Sequence, residues 1–252
     1  MKKKNERILN LILPIVTVVA LILTWAVASY KVDSEYILPS ISKTLAEFFD
    51  LFKSKEFYYS FILTLLRSLI AFFVSFILAF AFAVLSVKLK VLKNAILTLM
   101  SILRALPTIA IVLLLLFWTN SRVAPVIVTM LVVLPTLYTH IDSAFFSLDK
   151  TVIEAGRVDG ADEKNLFFKI ELPQILPSIY SGIGSGISLN FKLMVAAEVI
   201  SQTANSIGYM LNTSKVYFEV ARMLAIVCFA VIFGVVIEAV FNALSKRADM
   251  SK

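Results

Sequence analysis

Four ionisable side chains, Arg67, Arg104, Lys192 and Glu198, fall inside long apolar runs of this 252-residue chain. A charge at a helix centre in a membrane costs about 2.5 to 3.5 kcal/mol on insertion scales, so such residues turn toward protein or water and become candidates for function. Arg67 and Glu198 lie toward the ends of their runs, where a snorkelling side chain is a sufficient explanation. Arg104 and Lys192 sit deeper, and Lys192 has two readings, a pathway cation or a snorkelling one. None of this makes a catalytic set. Paired carboxylates, a Ser/His pair or a metal cluster must share a cavity, and the chain has one histidine, His140, and one cysteine, Cys228. A single cysteine excludes an intrachain disulfide, and His140 reads as a helix-end residue rather than a metal ligand. No Gly-x-x-x-x-Gly-Lys-Ser/Thr phosphate loop occurs, so any ATP-driven work falls to a partner chain. The chain itself is expected to carry no metal, no cofactor and no enzyme activity.

The longest strongly charged interval between apolar runs is residues 150–177. Thr151 is placed to cap a short helix, with Glu154 three residues on completing a capping box. Gly160 then turns the chain, because without a β-carbon it accepts a left-handed turn or the close approach of another surface. Pro173 and Pro177 favour a helix start over a helix middle. The interval reads as helix, turn, helix, and then a return to the membrane.

The elements around it are apolar. Sixty per cent of the chain is hydrophobic and 16% charged, against roughly 25% charged in soluble domains, so this is an all-α membrane protein. Six spans are expected, at about Ile8–Tyr30, Phe57–Val87, Val91–Thr119, Val123–Ile141, Gln174–Ile200 and Val220–Leu244. Pro107 should kink the third and Pro135 the fourth, while Pro125 suits a helix start. Ile41, Leu45, Phe48, Phe49 and Phe52 share one face of a helix on the outer surface. The net charge of +7 does not indicate nucleic acid, because the basic residues sit at membrane edges rather than on one soluble face. Fourteen Lys and Arg fall in segments assigned to the cytoplasm and seven outside, which puts both termini and residues 142–172 in the cytoplasm. On the fifth span Ser178, Gly182, Gly186 and Asn190 recur every four residues beside Ser181 and Ser185. That stripe suits close packing within one subunit, a subunit interface or a translocation surface.

Glu154, Ala155, Gly156, then Gly160 and Ala161, then Phe167, Ile170, Leu172, Pro173 and Pro177 resemble the "EAA" cytoplasmic loop of binding-protein-dependent ABC importer permeases. Gly156 stands where the third small residue is usual. Two blocks at a fixed separation before a membrane span make a specific match. Leu38-Pro39-Ser40, Thr64-Leu65-x-Arg67 with Phe72, Leu103-Arg104 with Pro107, Val195-Ala196-Ala197-Glu198 and Ile207-Gly208 resemble elements of the sulfonate, taurine and nitrate branch and its thiamine-precursor relatives. Ala71 and Ser206 replace glycines of that pattern, and Lys192 replaces an apolar residue. The likeness covers about residues 38 to 245.

The resemblance implies a type I ABC importer permease-like fold of about six transmembrane helices, with residues 1–252 as a single permease domain and 142–172 as its cytoplasmic coupling loop. It implies a multi-pass protein of a prokaryotic plasma membrane, a homodimer surrounded by lipid, served by an ATP-binding subunit dimer and an extracytoplasmic solute-binding protein. Glu154, Ala155, Gly156, Gly160 and Ala161 are then the coupling residues, with Pro173 fixing the geometry of the return. Arg104, Lys192, Ser185, Asn190 and Glu198 are the candidates for a substrate pathway. The solute is expected to be small: a sulfonate, nitrate or other anion, or a thiamine-precursor-like molecule, since Arg104 and Lys192 favour negative charge. An ion-driven transporter would call for intramembrane carboxylates or broken-helix repeats, and only Glu198 and Glu238 are available.

Overall fold

The computed structural model describes the backbone of residues 2–250 and the side chains of Leu13 and residues 16–247. Within them the chain forms helices and no strand: α1 (Lys2–Val32), α2 (Ile41–Leu51), α3 (Lys55–Lys88), α4 (Lys90–Ala105), α5 (Thr108–Trp118), α6 (Ala124–Phe146), α7 (Lys150–Val158), and a short α8 (Glu163–Asn165). A π-helical segment, Leu166–Glu171, carries α8 into α9 (Leu172–Ser201), which is followed by α10 (Ile207–Val216) and α11 (Val220–Met250). Four helical runs are long and apolar enough to cross a membrane: Lys55–Lys88, Ala124–Phe146, Glu163–Ser201 and Val220–Arg247. The expected first span falls in α1, whose Val16–Val32 stretch is apolar. Lys2, Lys3, Lys4, Arg7 and Pro14 lie outside the described side chains.

The expected third span is two helices. α4 and α5 qualify as one span only together, and they meet at 91°. A proline ring disfavours helical geometry in the residue before it, and Leu106 is accordingly extended (φ −68°, ψ 125°). Pro107 therefore makes a corner rather than a kink. Pro135, in contrast, stays inside an unbroken α6, and Pro125 occupies that helix's first turn as expected.

Two compact units divide the chain, Met1–Lys55 with Leu211–Phe229 and Glu56–Met210 with Ala230–Lys252. In the first, Trp25 Nε1 donates to the Pro39 carbonyl (3.1 Å) and Ser29 Oγ to that of Leu38 (3.2 Å), which pins the approach to α2 against α1. Ser40 caps α2 by accepting from the Lys43 amide, the short polar side chain that a helix start favours. The apolar face expected here forms: Phe48 meets Phe52 at 5.3 Å and Phe52 meets Phe229 at 6.0 Å. Leu45 and Phe49 stay exposed.

In the second unit α6 and α9 form the centre, burying Val133, Leu137, Tyr138 and Ile141 of α6 with Ile175 and Ile179 of α9, and Phe72, Ala79 and Ala83 of α3. Lipid tails are as apolar as leucine, so close van der Waals fit rather than hydrophobicity drives this association. The small-residue stripe of α9 supplies the fit. A β-carbon on Gly186 would stand 2.6 Å from Leu137 Cδ2 and 3.1 Å from Phe72 Cε2, and one on Gly182 3.1 Å from His140 Cβ. Packing within one subunit is thus the use to which Gly182, Gly186 and Asn190 are put.

A capped coupling loop and a buried charge cluster

The loop from α7 to α9 is closed by hydrogen bonds between near neighbours. Asp149, not Thr151, caps α7: its side chain accepts from the Thr151 amide at 2.9 Å. Asp149 offers its carboxylate at an extended position (φ −74°, ψ 105°), whereas Thr151 is already helical, so no capping box with Glu154 forms. At the other end the Gly160 amide donates to Arg157 O (3.1 Å) and the Ala161 amide to Gly156 O (3.0 Å). These two bonds define a Schellman motif, which needs a left-handed residue at its hinge. Gly160 takes that conformation at φ +80°.

The spacing of Gly156, Gly160 and Ala161 therefore has a local cause. A β-carbon on Gly156 would stand 2.5 Å from Ile170 Cδ1 and 2.9 Å from Leu166 Cδ2, so the two blocks of the motif pack on each other. Glu154, Ala155 and Arg157 are exposed, and α7 buries no residue. The Arg157–Glu163 ion pair (3.4 Å) is open to solvent and contributes little. Asp162 caps the next turn, accepting from the Asn165 amide at 2.9 Å.

Pro173 stands in the first turn of α9 as expected, and Pro177 differs from expectation. The helical run is continuous from Glu163 to Ser201, so neither proline opens a free-standing helix. Pro173 follows directly on the π-helical segment, where the Leu172 amide reaches back to Phe167 O. Widening the turn there gives room to a ring that cannot donate. Pro177 lies inside α9, and its carbonyl accepts from Ser245 Oγ at 2.7 Å.

At the far end of α9 stands a cluster that sequence reasoning had left as separate residues. Glu198 is fully buried. Its Oε1 receives Arg67 NH1 at 2.8 Å, its Oε2 receives Thr64 Oγ1 at 2.9 Å, and the Gly208 amide lies 3.4 Å from Oε2. The Thr64 hydroxyl in turn accepts from the Ile207 amide at 3.0 Å. One carboxylate thus ties α3, α9 and the start of α10 together. Gly208 permits it: a β-carbon there would stand 2.4 Å from Glu198 Cβ and 2.6 Å from Val199 N. Arg67 and Glu198 do not snorkel; they pair. The available signal was their opposite sign toward the ends of two spans, but the partnership of Thr64 and Gly208 had no signature of its own.

The other pathway candidates have different neighbours. Arg104, exposed, donates to Pro135 O at 3.0 Å and to Thr139 Oγ1. Asn190, fully buried, donates to Ser68 O and Oγ at 2.7 and 2.6 Å. Ser185 bonds back to Ser181 and Gly182, and the exposed Lys192 runs beside Gly234. No hydrogen bond or ion pair joins these residues to one another or to Glu198 among the described residues. No group of His, Cys, Asp and Glu there could hold a metal.

The chain is similar to known proteins. The chain is 27% identical over 101 residues to the "Probable ABC transporter permease protein" of Brucella melitensis biotype 1, a match covering 40% of this chain and 41% of that one. It is 27% identical over 101 residues to the taurine transport system permease protein TauC of Escherichia coli K12, covering 40% and 36%. The match thus spans about two fifths of these relatives' own length. In fold it is similar to the MetNI methionine ABC transporter solved in inward-facing conformations, with a TM-score of 0.63 at 16% identity over 77% of this chain and 99% of that one. Residues 75–250, which take in the capped loop, Glu198 and Gly208, match the binding-protein-dependent transport system inner membrane component family, and the chain belongs to that family.

Proposed function

We propose that this chain is the permease subunit of an ATP-driven ABC importer, a homodimer working with a dimer of ATP-binding subunits and an extracytoplasmic solute-binding protein. The observation that carries this reading is α7. It is a short helix with no buried residue, closed by a rigid turn at Gly160 and seated through Gly156 on Leu166 and Ile170 at the root of a membrane-crossing helix. Val152 and Val158 are 46% and 87% exposed, apolar side chains open to a partner. A push on α7 passes into α9 without a flexible joint.

The charge asymmetry supports a cytoplasmic α7 and cytoplasmic termini in a prokaryotic plasma membrane. The chain has no phosphate loop, so hydrolysis belongs to the partner. For the solute, an organic or inorganic anion such as a sulfonate or nitrate fits the two intramembrane cations, with a thiamine-precursor-like solute as the alternative. The taurine system named for one relative supports a sulfonate. Of the pathway candidates, Arg104, Lys192 and Ser185 reach the surface, while Asn190 and Glu198 are sealed inside.

The test is Gly160→Leu. A side chain in the left-handed region costs about 1 to 2 kcal/mol, so the Schellman turn distorts while the spans stay inserted. Uptake and stimulation of the ATPase should be abolished, with solute binding by the external protein intact. Wild-type uptake and ATPase stimulation in this variant would remove α7 from the mechanism.

A further inference from the structure

At the α7 end of the bundle, α6, α9 and α11 line an open cavity of about 560 Å³ bordered by His140, Ser143, Ser147, Ser178, Ser181 and Lys246, among others. Among the described residues the side chains of His140, Ser143, Ser178 and Lys246 make no protein hydrogen bond or ion pair, and all four are exposed. Ser181 Oγ already donates to Asn242 Oδ1 (3.3 Å) and Ser147 Oγ to Ala144 O (2.8 Å). His140 lies six residues before the end of α6, or about 9 Å along the axis, at the end of the apolar run. Gly182 packs against His140 Cβ, which sets the position of the imidazole.

The charge of this cavity is one-signed. No carboxylate lines it. The larger cavity beside α7, about 730 Å³, sets Lys90, Lys93, Lys150 and Arg157 against Asp142, Glu154 and Glu171, and Lys93 already pairs with Asp142 at 3.9 Å. Hydroxyl donors, an imidazole and an ammonium group without a counter-ion are the groups that hold a tetrahedral oxyanion, since bonds from a charged donor are the stronger ones.

We propose that this cavity is a binding site for a phosphate- or sulfonate-type oxyanion, supplied either by a free anion or by a lipid headgroup. Its cytoplasmic location rests on the orientation proposed above; binding itself does not, and is measured on the permease alone.

His140 is the chain's only histidine, so one imidazole signal reports the site. The full chain, purified without a polyhistidine tag and labelled with [15N]histidine, is placed in phosphatidylcholine nanodiscs and titrated with inorganic phosphate and with sulfate. A saturable shift of the imidazole resonances is expected. It should weaken at least about tenfold in Ser178→Val/Lys246→Gln, the loss of a charge-assisted bond, and return with Lys246→Arg on the wild-type background. A second arm uses nanodiscs containing phosphatidylglycerol: a shift already saturated there, and insensitive to added phosphate, assigns the site to a lipid headgroup, while an unchanged phosphate response assigns it to the free anion. No shift in either arm, or the same affinity in the double variant, overturns the site. Loss of transport in Gly160→Leu has no bearing on this measurement, so the two proposals fail separately.

Discussion

The α7 loop and the Glu198 cluster stand at opposite ends of α9 and are held in opposite ways. Around α7 most bonds run between residues at most six apart, Asp149 to Thr151, Gly156 to Ala161, Arg157 to Gly160 and Glu163, Asp162 to Asn165, with the Asp149 amide also reaching Gln174 Oε1 at 3.0 Å. All of it faces solvent, where a net hydrogen bond is worth about 0.5 to 1.5 kcal/mol. Glu198 instead draws on Thr64 and Arg67, 134 and 131 residues away, with no exposed surface. A buried charge is costly to orphan, so that end of α9 behaves as a unit. The comparison separates an exposed loop closed on itself from a buried joint held across the chain.

The contrast would break most sharply at Arg67. Arg67→Ala leaves the Glu198 carboxylate buried without its cation and should cost about 3 to 5 kcal/mol, read as a fall in thermal midpoint in detergent or as loss of folded permease. Removing both charges, Arg67→Met with Glu198→Leu, should cost less than removing either. Additive single effects would show that the two residues do not act together. Gly208→Ala probes the same joint by volume: the new methyl group meets Glu198 and the Val199 backbone, an overpacking expected to cost about 1 to 3 kcal/mol by the same measurement. A neutral Gly208→Ala would mean that α10 can move off α9. The smallest effect belongs to the exposed loop. Asp149→Ala should cost about 1 kcal/mol and Thr151→Ala within about 0.5, seen in limited proteolysis of the loop. The reverse order would return the cap to Thr151.

These two regions also differ in how far residues alone announced them. The loop's order of helix, turn and helix, and the left-handed glycine at 160, followed from residue type and spacing. The cap was misplaced by two residues because Asp149 and Thr151 are both short acceptors, and only the observed dihedrals decide between them. Proline was read correctly at 125, but 107 makes a corner where a kink was expected, and 135 and 177 stay inside their helices. Residue type alone does not show that the surrounding helices hold α9 continuous through Pro177, whose own carbonyl accepts a further bond from Ser245, sixty-eight residues on. For Asn190 and its stripe, periodicity identified a face but not what it met.

By itself, then, the sequence determined that the chain is helical and membrane-spanning, which family it resembles, and where its one conspicuous loop turns, because apolar run length, positive charge and short-range capping act over a few residues. Only the tertiary structure decided that Arg67 and Glu198 are partners, that Gly208 is the space they require, that the third apolar run turns a right-angled corner, and that His140 shares a cavity with five serines and a lysine. Those facts depend on which distant helices lie side by side, a choice set by the fit of whole surfaces rather than by any one segment.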